Sequence, residues 1–108
     1  MATTLGEFEQ LLLLAIVRLE KNAYGATLRQ EIEKRTGRTV AIGAIYTTLE
    51  RLERKSYVRS KVGEPTPERG GRRKKFYRLE PLGAKALNRS YRDFKRMADG
   101  LGQKLETL

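Results

Sequence analysis

Leu5, Phe8, Leu12, Ile16 and Leu19 recur at helical spacing near the start of the chain, which predicts a first helix from Thr4 to about Lys21. Thr4-Leu5-Gly6-Glu7 has the form of a capping box at its start. Leu11, Leu13, Leu14 and Val17 add apolar surface on the other sides. A helix apolar nearly all round must be covered on more than one face, and in so small a domain one cover is expected from another subunit. Tyr24, Leu28 and Ile32 then repeat at i, i+4 and i+8. They predict a second helix, Tyr24 to Thr36, with Gly37 at the left-handed position that ends many helices. Ile42, Ile45, Leu49 and Leu52 mark one face of a third helix ending near Lys55.

The pattern then changes period. Tyr57 to Val62 alternates, and Lys74 to Leu79 is aromatic and basic. Between them, Gly63 to Arg73 holds Pro65, Pro67 and the Gly70-Gly71 pair. This is an antiparallel hairpin with a long tip. Pro81 suits the first position of a final helix. There Leu87, Tyr91, Phe94, Ala98, Leu101, Leu105 and Leu108 follow in alternating steps of four and three. A period of 3.5 is that of a helix pairing with another helix, and the stripe exceeds what one small domain can cover. Leu87, Tyr91, Phe94, Ala98, Leu101 and Leu105 are therefore the candidate homodimer interface. Gly100 and Gly102 each weaken the helix by about 1 kcal/mol relative to Ala, so it is expected to fray or break there.

The fold class that results is mainly α with a small β-hairpin. Residues 1–80 form a winged helix-turn-helix and residues 81–108 a C-terminal dimerisation helix, joined as one structural unit. The length of 108 residues fits one domain. No apolar run approaches the ~18–20 residues of a membrane span. No signal-peptide pattern opens the chain, so a cytoplasmic protein is the expectation.

Composition removes several chemistries. The chain has no His, no Cys and no Trp. It lacks an imidazole base, a thiolate nucleophile, a cysteine zinc site and a disulfide framework. A nucleic-acid enzyme would need clustered carboxylates for Mg²⁺, and Glu50, Glu53, Glu64 and Glu68 form no evident cluster. No enzyme activity and no cofactor are expected.

The 23 Lys and Arg against 13 Asp and Glu give a net charge of +10, which points to a polyanion such as double-stranded DNA. The excess is uneven. Residues 1–40 carry six positive and five negative side chains, residues 41–80 eleven and five, and residues 81–108 six and three. Arg69, Arg72, Arg73, Lys74 and Lys75 crowd the hairpin, where they can follow a phosphate backbone. The third helix presents Gly43, Ala44, Thr47 and Thr48 on its outer side, with Arg51 one turn on. Small side chains suit a helix entering a major groove about 12 Å wide, where Thr offers a hydroxyl or a methyl and Arg51 reaches guanine or phosphate.

Three segments resemble the PadR family of transcriptional regulators: Leu11 to Ile16 followed by Tyr24-Gly25; Gly43 to Leu52; and Gly70 to Leu79 running into Pro81-Leu82-Gly83. The resemblance covers nearly the whole chain. It implies a dimeric, repressor-type DNA-binding protein whose third helix enters the major groove and whose wing contacts phosphate or the minor groove. It also implies DNA contact by Tyr46 and the Lys74 region. Three departures stand out. Ala41-Ile42 replace the Ser-Pro pair that often opens the third helix, Glu80 stands where a Thr often precedes the last helix, and the aromatic drug-binding Trp of some small members is missing.

The leading expectation is thus a sequence-specific DNA-binding regulator acting as a homodimer on a palindromic operator. The alternative is a winged-helix module that docks a protein or RNA through its heptad helix. Phe8, Tyr91, Phe94 and Met97 leave room for a small-molecule effector at the dimer interface, although such stripes more often form core.

Overall fold

A computed structural model describes residues 4–65 and 73–108. Among these residues, five helices and one hairpin follow in the order α1 (Glu7–Leu19), α2 (Gly25–Thr36), α3 (Ile42–Arg54), β1 (Val58–Pro65), β2 (Arg73–Leu79), α4 (Pro81–Ala98) and α5 (Gly102–Glu106), with a short 3₁₀ turn at Glu20–Asn22. The two strands pair antiparallel from Val58 opposite Leu79, with a register shift between Val62 and Pro65. No helix among the described residues is long and apolar enough to cross a membrane.

The core is where the helical stripes meet. Leu12, Leu13, Leu28, Ile45, Leu49 and Leu52 are fully buried, and Val58 and Tyr77 of the hairpin close the same cluster. Leu14 and Val17 of α1 stay exposed, so the nearly all-apolar first helix is covered on only part of its circumference.

The start of α1 differs from the Thr4–Glu7 box. The helix begins two residues later, with Gly6 in an extended conformation at its N-cap. The Gly6 amide donates to Glu9 Oε1 at 2.9 Å, while Glu7 turns away to pair with Arg38 at 2.7 Å. The reason lies across the chain. Lys55 Nζ meets Glu9 Oε2 at 2.8 Å, so Glu9 is drawn inward and its carboxylate, although buried, caps the Gly6 amide. Similarly, Ala41 caps α3 without a side-chain bond. Order before that helix comes instead from Glu33, whose Oε2 accepts from the Val40 amide at 2.8 Å.

Burial works to raise the Glu9 carboxyl, but hydrogen bonds from Lys55 and the Gly6 amide, with the charges of Lys55 and Arg51, outweigh it and hold the group below its ordinary value of 4.5. A folded-state pKa that is depressed adds stability above the unfolded value and loses it as pH falls. Stability is expected to decline below about pH 4.5. Replacing Lys55 by Met leaves the buried Glu9 without its cation and with only the Gly6 amide as donor, which should cost about 1–3 kcal/mol at pH 7. Denaturant unfolding over a falling pH series checks this: the gap between the two proteins should narrow as acid neutralises Glu9.

The last helix is shorter than the heptad pattern predicts. α4 ends at Ala98, Asp99 turns extended, and Gly100 takes φ +79°, a left-handed conformation that glycine adopts without a steric penalty. Leu101 and Leu105 therefore do not continue the line of Tyr91 and Phe94 as one helix. Leu87 departs from a purely intersubunit role too, because it is buried in the chain's own core. Tyr91, Phe94 and Met97 are exposed, whereas Phe8 packs against the core. The proposed effector-lining set is therefore split.

Candidate nucleic-acid interface

Helix α3 has two unlike sides. Ile45, Leu49 and Leu52 have no exposed surface and fix the helix against α1 and α2. On the opposite side Gly43, Ala44, Thr47 and Arg51 are all exposed. Thr48 departs from the expected outer face, since it is only 6% exposed. Its position explains this: three residues after Ile45 and four before Leu52, it sits on the inward rows. The outer face also carries Glu50 and Arg54, so it is not uniformly basic.

Tyr46 lies at the edge of this face, 44% exposed. Its ring rests against Gly25 at the first turn of α2, where a Cβ would collide with the ring. The absence of a side chain at Gly25 is what lets the Tyr46 ring approach so closely there. The Tyr24-Gly25 pair thus shapes the floor beneath one side of α3.

The wing is attached on both faces of β2. Along a strand, alternate residues point to opposite sides. Lys74 and Phe76 point toward the start of α2, where Phe76 and Tyr24 stack edge to face with centroids 5.4 Å apart. Lys74 Nζ sits 4.5 Å from the Tyr24 ring centroid and donates to its hydroxyl at 3.3 Å. Backbone bonding completes this side, because the Tyr77 amide donates to the Ala23 carbonyl at 2.8 Å. Lys75 and Tyr77 face α3 instead. Lys75 Nζ lies 5.9 Å from the Tyr77 centroid and 4.0 Å from Glu53, whose other oxygen accepts from Ser60 Oγ at 2.6 Å. Burial, and then the charge of Glu53, push the Tyr77 phenol up to about 12, so it stays protonated at any physiological pH.

This arrangement brings Lys74 and Lys75 to the root of the hairpin beside α2 and α3. Arg73 opens β2. Arg72, with Arg69, Gly70 and Gly71, lies outside the described residues. The anchor Tyr24–Phe76 was not anticipated. Tyr24 reads in sequence as one more apolar helix position, yet it is the N-cap of α2. The available signal was the alternation Lys74-x-Phe76, which places a cation and an aromatic ring on one strand face.

Chemically, the surface offers small uncharged groups on a helix, flanked by a phenol and by cations from helix and hairpin. Comparison with known proteins bears on it. The family model described as the transcriptional regulator PadR-like family matches residues 13–89. An uncharacterised protein of Lysinibacillus sphaericus is 36% identical over 72 residues, covering 65% of this chain and 63% of that protein. The chain thus spans less than two thirds of the length of that curated relative. Among solved structures, a PadR family transcription regulator from Clostridium difficile superposes with a TM-score of 0.72 at 21% identity, over 91% of this chain and 98% of the other. A PadR-like transcriptional regulator from Bacillus cereus gives 0.73 at 20%, over 91% and 90%. A PadR family transcriptional regulator from Eggerthella lenta gives 0.67 at 26%, over 94% and 88%. The likeness shows the winged-helix fold.

Proposed function

Since the chain belongs to the PadR-like family of transcriptional regulators, we propose that two copies pair through α4 and bind a palindromic operator in double-stranded DNA, acting as a repressor. The observation that carries this reading is the outer face of α3: Gly43, Ala44 and Thr47 lie exposed on a helix whose other side is fully buried, with Tyr46 and Arg51 beside them. Small side chains let the helix approach base edges, and Thr47 supplies a hydroxyl and a methyl. Tyr46, Arg51, Lys74 and Lys75 contact phosphate, joined by Arg72 and Arg73 of the hairpin. Phosphate contacts position the protein and base contacts specify the sequence. Thr48, buried behind the face, is a packing residue in this reading.

Selection of bound duplexes from a random pool tests it. The expected outcome is a two-fold symmetric sequence with half-sites roughly 34 Å apart. Affinity should fall with salt at a log–log slope near −0.9 for each phosphate neutralised. Thr47→Val should change the preferred bases, while Lys74→Gln should weaken all sequences alike and flatten the slope by about one. Recovery of no common sequence would refute the operator reading. Transcription from a promoter carrying the selected site should fall as protein is added; a rise would make the protein an activator.

A further inference from the structure

Helix α4 carries a second, differently built surface. Lys85, Arg89, Arg92 and Arg96 follow one another at steps of four, three and four. At 3.6 residues per turn they fall within an arc of about 60° and extend over about 16 Å of helix. Leu87, Tyr91, Phe94 and Ala98 occupy an arc of the same width on the opposite side. All four cations are exposed, and with Asn88 and one carboxylate, Asp93, they line one shallow groove.

An ordinary solvated face looks different, and this chain contains one for comparison. On α2 the charges alternate and pair, Arg29 with Glu33 and Arg35 with Glu31. Among the described residues the remaining ion pairs engage Arg38, Lys55, Arg59 and Lys75; no carboxylate pairs with the α4 cations. Asp93 stands on the flank of the stripe without bridging to it. Like charges at i,i+3 and i,i+4 destabilise a helix, and here three such neighbours follow in a row. An external polyanion would relieve that repulsion.

The stripe also lies apart from the reading face. The root of α4 meets the link that follows α3, where the Glu80 amide donates to the Tyr57 carbonyl at 2.9 Å and Gly83 packs so closely on that carbonyl that a Cβ would collide with it. The small residues that face DNA begin at the other end of α3. With its apolar side turned to a partner helix, α4 directs its cations outward.

We propose that the basic face of α4 is a second phosphate-binding surface, which takes the backbone of a DNA segment other than the one read by α3. It rests on the reading of the chain as a dimeric DNA-binding protein. A dimer then carries two outward stripes in addition to its operator-binding side, and it can hold two duplexes together without reading the sequence of the second.

The test immobilises the selected operator duplex, loads the full chain and adds a labelled duplex of unrelated sequence. The wild type is expected to retain the second duplex at low salt and to release it as salt rises. The quadruple variant Lys85→Gln, Arg89→Gln, Arg92→Gln, Arg96→Gln keeps side-chain length and helix propensity. It should retain at least tenfold less of the second duplex, with operator affinity within about twofold and an unchanged helical circular dichroism spectrum. Arg89→Lys with Arg92→Lys, which keeps the charge, should restore capture to the wild-type level. The proposal is overturned if the variant captures as well as the wild type, if the wild type captures nothing, or if operator affinity falls in step with capture. Preferential retention of labelled polyglutamate would also overturn it. Failure of the wild type to hold the immobilised operator at all is a different outcome, which removes the regulator reading and this inference with it.

Discussion

Replacing Tyr91 and Phe94 together by Lys is expected to give a folded monomer that binds the operator about 10²–10⁴-fold more weakly. Both side chains are bare in the isolated chain, Tyr91 58% and Phe94 72% exposed, so neither contributes to its own core. Exposed aromatics at helical spacing on a helix otherwise rich in Lys and Arg mark a face made for another surface. Once two chains are joined, the second half-site is bound at a high effective concentration, and breaking the joint forfeits that gain without touching any DNA contact. Sedimentation at micromolar concentration gives the oligomeric state, and titration of the operator and of one half-site gives the affinities. The half-site affinity should be preserved within a few fold. A variant that remains dimeric, or that binds the full operator as tightly as the wild type, would refute the α4 seam.

The second large effect is on stability. Leu49→Ala should destabilise the fold by about 2–5 kcal/mol and lower the thermal midpoint by roughly 10–20 °C. Leu49 has no exposed surface and sits in the cluster formed by Ile45, Leu52, Leu12 and Leu28. Truncation leaves a cavity at the point where α3 is held, and close-packed neighbours fill it only in part. The contrast with Thr47, two residues earlier, is what makes the test specific. Thr47→Ala should move stability by no more than about 0.5 kcal/mol and yet alter which operators are bound. Denaturant unfolding of both variants, each paired with a binding titration, separates the two sides of one helix. Equal destabilisation by both would mean that α3 does not have the free outer face described.

Which parts of this were legible from the chain follows from the range of the forces involved. Periodicity located α1 to α4 and both strands, because a buried stripe imposes its spacing directly on the sequence. Gly37 was legible as the end of α2 for a similar local reason, and the structure gives it φ +74°. Thr48 was assigned outward by its size and polarity, although its helical angle, set by Ile45 and Leu52, places it inward. Angle decides burial, and a Thr is small enough to be accommodated. The break in the later part of the heptad pattern was legible from Gly100 and Gly102, and the structure ends α4 just before them. Leu101 and Leu105 keep the spacing, but spacing cannot hold a helix through Asp99-Gly100 without a partner packed on it. Glu9 left no local trace at all. Its partner Lys55 is 46 residues away, and nothing near Glu9 distinguishes it from the exposed Glu7. The wing anchor of Tyr24 and Phe76 is long-range too, joined only when the hairpin folds back on α2.

Helix α4 begins inside one molecule and continues outside it. Gly83 and Leu87 are buried, while Tyr91, Phe94 and Met97 are bare. The first turns of the helix are therefore ordered by intramolecular packing, and the later turns have no tertiary contact to offset the conformational entropy of keeping them helical. Local opening free energy should drop along one continuous element, from near the global value at Leu87 to almost nothing beyond Phe94. In the proposed dimer, association would supply the missing packing, and completion of this helix would then depend on protein concentration.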